Sequence, residues 1–173
     1  MNDSHVPGKD ENIPVEFTHT LPGKRMASGA LFFNARQKIL IVKPTYREGW
    51  LVPGGVIERD ESPYQACLRE IREELGLNLS LQRLLCFEYR PAYDLKSESI
   101  HFMFYGGVLD ESTIQTINLP QDELSACRFC ERAEAMELLL PALSARMKFA
   151  LMALDQQRVI YLENQVEVLK DGN

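Results

Sequence analysis

Apolar and polar positions along the chain divide it into short strands and a few helices. Residues 27–33 and 39–42 are apolar runs separated by a polar stretch from Asn34 to Gln37, a spacing that predicts a hairpin. Residues 50–52 (Trp-Leu-Val) read as a strand fragment stopped by Pro53, Gly54 and Gly55. Longer strands are predicted over 84–89 and 100–109. In the second, Ile100, Phe102 and Phe104 share one face and His101, Met103 and Tyr105 the other. A short strand over 126–130 precedes a helix over 132–140, ended near Pro141, and a second helix over 143–154. Residues 1–23, with Pro7, Gly8, Pro14, Pro22 and Gly23 and little periodicity, read as an N-terminal arm. A single domain over 24–162 and a tail over 163–173 follow.

The most clearly punctuated element lies between these strands. Ser62 is a good N-cap, Pro63 suits the first helical position, Gln65 completes a capping box, and Gly76 is the expected stop. Ala66, Leu68, Ile71 and Leu75 form its apolar stripe. On the same helix Glu70, Glu73 and Glu74 stand at i, i+3 and i+4, where like charges repel by several tenths of a kcal/mol. Either Arg69 and Arg72 balance a solvated acidic face, or the carboxylates serve a hard divalent cation that prefers oxygen ligands.

Composition narrows the setting. The chain has 173 residues, 45% hydrophobic and 25% charged, enough for one packed core. Its net charge of -6 supplies no general attraction to nucleic acid or to an anionic membrane, so no DNA partner is expected. There is no apolar run of membrane-spanning length and no signal-peptide pattern near the N-terminus, which makes a cytoplasmic location the default expectation. Cys67, Cys86, Cys127 and Cys130 are too sparse for a disulfide framework. Strands and helices alternate irregularly, so the fold class is mixed α/β rather than a doubly wound parallel sheet.

The stretch from Gly55 to Leu77 matches G-x5-E-x7-R-E-U-x-E-E-x-G-U (U apolar) at Gly55, Glu61, Arg69, Glu70, Glu73, Glu74 and Gly76, and at apolar Ile71 and Leu77. It resembles the Nudix box, and the approach through Trp50 and Pro53 to Gly55 is similar to the family's usual one. The resemblance implies an α/β/α sandwich with a mixed β-sheet and a loop–helix–loop unit. It also implies water attack at phosphorus, assisted by Mg2+ or Mn2+. It puts metal ligands on Glu70, Glu73 and Glu74, with Glu61 and Arg69 holding the unit together. Glu70 is the first choice for the general base, with Glu73 and Arg69 beside it in the catalytic set. Glu123, just before a late strand, resembles a further ligand that often lies outside the box; as a residue it is equally a surface turn carboxylate.

Other residues are weighed singly. Tyr46 and Tyr93 sit in polar stretches and suit stacking on a base, and Arg47, Arg90 and Lys43 suit phosphate. Trp50 and Tyr89 are further stacking candidates, whereas Phe102 reads as core. Cys127 and Cys130 mimic half of a metal knuckle, but a strand sends i and i+3 to opposite faces. His101 reads as a packed or hydrogen-bonded histidine. The 143–154 helix packs on the domain or forms a homodimer contact. The resemblance favours hydrolysis of a nucleoside diphosphate linked to another group, such as ADP-ribose or a nucleotide sugar. Pro91 lies off the spacing associated with ADP-ribose hydrolases. Damaged nucleoside triphosphates are the nearest rival substrates, and an RNA end is third, disfavoured by the acidic balance. A nucleotide sensor without catalysis and an isoprenoid diphosphate isomerase are the other readings, against which the box stands intact.

Overall fold

The computed structural model describes residues 20–169, so most of the expected N-terminal arm and the last four residues lie outside the described residues. The apolar runs become strands because their branched and aromatic side chains pack well on a pleated surface. β1 (Arg25–Asn34) and β2 (Ile39–Pro44) form the expected hairpin. Its turn is held by Asn34 Oδ1, which accepts from the backbone N–H of Arg36 and of Lys38 at 3.0 Å each. β4 (Arg83–Arg90), β5 (Ser99–Leu109) and β6 (Leu124–Cys130) fall within a residue or two of expectation.

One assignment is corrected. Trp50 and Leu51 make only single bridges, to Leu139 and Val42, whereas the glycines expected to end a strand form β3 (Gly54–Val56) against β1. The reason is close approach. At φ 138° a Cβ on Gly54 would lie 2.2 Å from the Ser28 carbonyl oxygen, so glycine admits the pairing that any side chain would block.

The sheet runs β6-β2-β1-β5-β4-β7-β8, where β7 is Ile160–Glu163 and β8 is Val166–Glu167, with β3 on β1. β1–β5 and β4–β7 pair in parallel and the other ladders are antiparallel, so the sheet is mixed. α1 (Pro63–Leu75) covers one face, where Cys67, Ile71 and Leu75 pack with Ala30, Phe32, Leu40 and Val42. α3 (Arg132–Leu138) and α4 (Pro141–Asp155) cover the other, where Ala135, Met147 and Ala150 meet Leu31, Phe33, Ile39 and Ile41. The architecture is the α/β/α sandwich. α2 (Glu111–Gln115) is a short turn of helix that the sequence pattern did not mark.

β7 (Ile160–Glu163) and β8 (Val166–Glu167) were also not foreseen. Their connection is Asn164 and Gln165, both at positive φ (47° and 69°), the geometry of a tight two-residue hairpin. Only Ile160 and Leu162 are fully buried, too short an apolar signal to stand out among polar neighbours. A buried ion pair ties this corner to α4: Arg146 Nε donates to Glu88 Oε2 at 2.8 Å, and the Gln165 N–H donates to Glu88 Oε1 at 2.9 Å.

Candidate active site

α1 begins and ends as its sequence dictates. Ser62 Oγ accepts from the Gln65 N–H, the Gln65 side chain accepts from the Ser62 N–H, and Gly76 closes the helix at φ 70°. The buried face differs from the expected stripe: Cys67 and Glu74 are buried with Ala66, Ile71 and Leu75, whereas Leu68 is partly covered. A carboxylate inside an apolar interface needs a partner. Glu74 Oε2 finds one in the Gly54 N–H at 2.8 Å, which ties α1 to β3. Glu70 occupies the space that a side chain on Gly55 would take, with its Oε1 2.3 Å from the place of a Cβ there.

Arg69 organises the surrounding charge. It forms a bidentate pair with Glu61 (2.9 and 3.0 Å), donates to Glu70 Oε1 and Glu73 Oε2 at 2.9 Å each, and reaches the Val56 carbonyl at 3.0 Å. These carboxylates hold its guanidinium charged, and Arg69 in turn lowers the pKa of Glu61. The helical carboxylates respond differently. Burial pushes Glu74 up to about 8, with further upward pressure from the charges of Glu70, Glu123 and Glu73. Glu70 is raised mainly by burial, against the opposing pull of Arg69.

Glu123, in the turn before β6, is near enough for its charge to act on both Glu70 and Glu74. Thr45 fixes that turn: its N–H and hydroxyl donate to the Glu123 carbonyl and its hydroxyl also to the Asp122 carbonyl. Among the described residues no three His, Cys, Asp or Glu side chains stand ready to enclose a metal ion, because Glu70 and Glu73 are turned onto Arg69. The donor chemistry nevertheless fits a hard cation: oxygen ligands only, in excess over local positive charge, one of them buried at an electrostatic cost that a divalent ion would relieve.

Across the sheet from α1, a cleft of about 120 Å³ runs between β1, β5, the Leu51–Gly55 approach and α4, with Val52, Met103, Leu143 and Arg146 in its walls. His101 lines it. Burial and the charges of Arg146, Arg90 and Arg25 depress its pKa to about 3, and Ser99 Oγ lies 3.0 Å from its Nε2. Gly54 and Gly55, the glycines that meet Glu74 and Glu70, line the cleft from β3, and His101 and Arg146 line it from β5 and α4.

The family model that matches this chain is the NUDIX domain, over residues 23–151. The chain belongs to the Nudix family. An RNA pyrophosphohydrolase of Gluconacetobacter diazotrophicus is 38% identical over 92 residues, covering 46% of this chain and 52% of the relative. Among solved Nudix folds, a UDP-X diphosphatase aligns with TM-score 0.65 at 22% identity, over 84% of this chain and 70% of that one. The NUDIX domain of Shewanella oneidensis NrtR, solved with ADP ribose, aligns with TM-score 0.63 at 18% identity, over 83% and 94%. The chain spans about half or less of the length of the curated relatives that it matches first.

The remaining candidates scatter around the Nudix unit. The charge of Arg90 acts on His101 in the cleft, whereas Tyr93 stands 82% exposed at the tip of the β4–β5 connection, bridged to Lys96. Tyr46 and Arg47 lie in a separate hollow beside Glu123. Trp50 packs with the α3–α4 face under the Arg128 guanidinium, and Phe102 stacks on Phe87 in the other layer. Cys127 and Cys130 belong to opposite faces of the sheet, as strand alternation requires. Arg25 and Arg146 were not singled out in the sequence. A signal for Arg146 existed: it interrupts the apolar face of a helix between Leu143 and Met147, where an unpaired charge would be expensive.

Proposed function

We propose that this protein is a metal-dependent Nudix pyrophosphohydrolase that cleaves the phosphoanhydride of a nucleoside diphosphate linked to another group, with ADP-ribose and nucleotide sugars as the leading substrates. The observation that carries the reading is the charge layout. Glu70, Glu73, Glu74 and Glu123 act on one another beside Gly54 and Gly55, two glycines that line the cleft, while Arg146 lines the same cleft with His101, on which the charges of Arg90 and Arg25 also act. An anionic diphosphate needs cations at its bridging end and positive side chains or apolar walls for the groups it joins.

Glu70, Glu73 and Glu74 would hold Mg2+, or Mn2+ in its place, with Glu123 as a further ligand. When bound there, the cation supplies neutralising charge to the phosphate oxygens and makes water more acidic. Arg69 holds Glu70 Oε1, which leaves Oε2 to take the proton from the attacking water. The water oxygen bonds to phosphorus, the bridging P–O bond breaks, and the leaving phosphate keeps that electron pair. Glu74 contributes position: its bond to the Gly54 N–H fixes α1 against the strand that borders the cleft. Arg90, whose charge acts on His101 in the cleft, would serve the second phosphate.

The reading is tested by incubating the protein with Mg2+ and ADP-ribose, UDP-glucose, diadenosine polyphosphates, and normal and oxidised triphosphates, with products resolved by chromatography. Cleavage of an NDP-linked compound to a nucleoside monophosphate and a second phosphate ester is the expected result. Cleavage only of triphosphates, releasing pyrophosphate, would replace it with the house-cleaning reading, and tight binding without cleavage would replace it with a sensor.

A further inference from the structure

We infer that the loop between β2 and β3 carries a second anion site, which takes phosphate groups of the substrate beyond the two that flank the scissile bond. The inference rests on the proposed hydrolase reading for the word substrate and narrows it to compounds that carry further phosphates, which ADP-ribose and the nucleotide sugars lack. Lys43, Tyr46 and Arg47 line a hollow of about 470 Å³ together with Thr45, Glu48 and Ser125. Among the described residues, neither the Lys43 ammonium nor the Arg47 guanidinium has a hydrogen-bond or ion-pair partner, and Glu48 in the same hollow is paired with neither. By contrast, Lys24, Lys38, Arg69, Arg128 and Arg132 are each paired with a carboxylate. Two unpaired cations in one concavity of a protein with net charge -6 create a local positive field against the general one.

The loop is framed rather than loose. At one end Thr45 is bonded to the backbone of Asp122 and Glu123. At the other, the Trp50 N–H donates to the Leu138 carbonyl and the Leu140 N–H to the Trp50 carbonyl, each at 3.2 Å. Gly49, at φ 91°, passes so close to Leu140 that a Cβ would lie 2.6 Å from its Cδ2. A frame fixed at both ends limits the ordering cost of binding. Tyr46 is 74% exposed within it, an aromatic face placed beside the two cations. The frame is also registered to the chemistry, because the residue that fixes its near end is bonded to Glu123, whose charge acts on Glu70 and Glu74. A phosphate chain whose reacting anhydride lies at those carboxylates can continue past Glu123 into the hollow. The shared chemistry is a run of phosphoryl oxyanions, carried by a nucleoside polyphosphate or by the 5′ end of an RNA.

Inorganic tripolyphosphate is the probe. Calorimetric titration of the full chain without metal, in EDTA, compares wild type with Lys43→Ala/Arg47→Ala and with Glu48→Gln. The double variant is expected to bind about tenfold or more weakly, since charge-assisted bonds to phosphate are lost. Glu48→Gln is expected to bind severalfold more tightly, because a like charge leaves the hollow. Equal affinity across the three proteins overturns the inference, as does tighter binding by the double variant. Thermal unfolding of each variant guards against a folding defect, and the gain expected for Glu48→Gln cannot arise from one. Adenosine tetraphosphate and a 5′-triphosphorylated RNA oligomer, titrated in parallel, distinguish the sources: the double variant weakens whichever the hollow serves, and weakening of neither counts against the site. Turnover by wild type with Mg2+ separates the two readings. Hydrolysis with no effect of the variants on binding removes the anion site alone, and variant-sensitive binding without hydrolysis removes the hydrolase alone.

Discussion

Gly55→Ala separates position from stability at the candidate active site. Gly55 lies outside the left-handed region of backbone space, so alanine is conformationally allowed there. Its Cβ would meet Glu70 Oε1 at 2.3 Å, Cδ at 2.4 Å and Oε2 at 2.7 Å, where ordinary contact begins at 3.4 Å. The carboxylate must therefore retreat by about 1 Å, a displacement of a reacting group that costs on the order of 100-fold in rate. The obstructed atoms are the end of a flexible side chain, so moving them off rotamer costs about 0.5–1.5 kcal/mol. Loss of unfolded-state entropy returns about 0.4–1 kcal/mol, and the net change in stability is near zero. Steady-state turnover of the cleaved nucleotide with Mg2+, beside urea unfolding, reads both quantities. The expected outcome is a kcat lower by about two orders of magnitude with an unfolding midpoint within error of wild type. Near-normal turnover in a folded Gly55→Ala protein would refute the placement of Glu70 in the chemistry. Gly54→Ala is the contrasting variant: its Cβ meets backbone, the Ser28 carbonyl at 2.2 Å, at a φ hostile to side chains, so it should fail in stability.

Glu74→Gln should abolish turnover yet leave the metal-free protein as stable as wild type or more so, because the amide oxygen can still accept from the Gly54 N–H while the cost of burying an ionisable carboxyl among carboxylates is removed; a lowered Tm without metal would contradict this. Glu88→Gln leaves Arg146 buried and short of its countercharge, and should cost about 3 kcal/mol or more in urea unfolding, with a loss below 1 kcal/mol counting against a structural role for the pair. His101 has a folded pKa near 3, below the value near 6.5 of the unfolded chain, so the native state resists a proton that the unfolded state accepts. Its contribution is intact above pH 6.5 and is lost as pH falls from there toward 3. His101→Gln should flatten that part of the stability–pH curve, and an unchanged slope would remove His101 from the balance.

How much of this was legible in the sequence varies by element. The caps of α1, its carboxylates and its bounds could be read because capping, glycine termination and the i, i+3, i+4 spacing are local properties. β3 was misread because its glycines answer to a non-local demand, the approach to Ser28 and Gly29 on β1. β7 and β8 escaped because two buried residues and a tight turn give almost no periodic signal. The burial of Glu74 on the α1 stripe was invisible because it depends on the Gly54 N–H of β3, which donates to the carboxylate. The arginines whose charges act on His101 come from β1 (Arg25), β4 (Arg90) and α4 (Arg146), which only the tertiary fold brings together. Glu123 was within reach because its place before a late strand resembles that of a further ligand outside the box, though its proximity to Glu70 and Glu74 depends on the Thr45 anchor.

In the proposed reaction the α1 carboxylates bind the divalent ion at which the anhydride is cleaved. Titrating Mn2+ into wild type, Glu73→Gln and Glu74→Gln while following the free-ion electron paramagnetic resonance signal, with turnover measured on the same samples, addresses it directly. Wild type is expected to bind Mn2+ saturably, with binding weakened by about tenfold or more in both variants together with loss of turnover. Undiminished Mn2+ binding in both variants, or turnover that persists in EDTA, would contradict it.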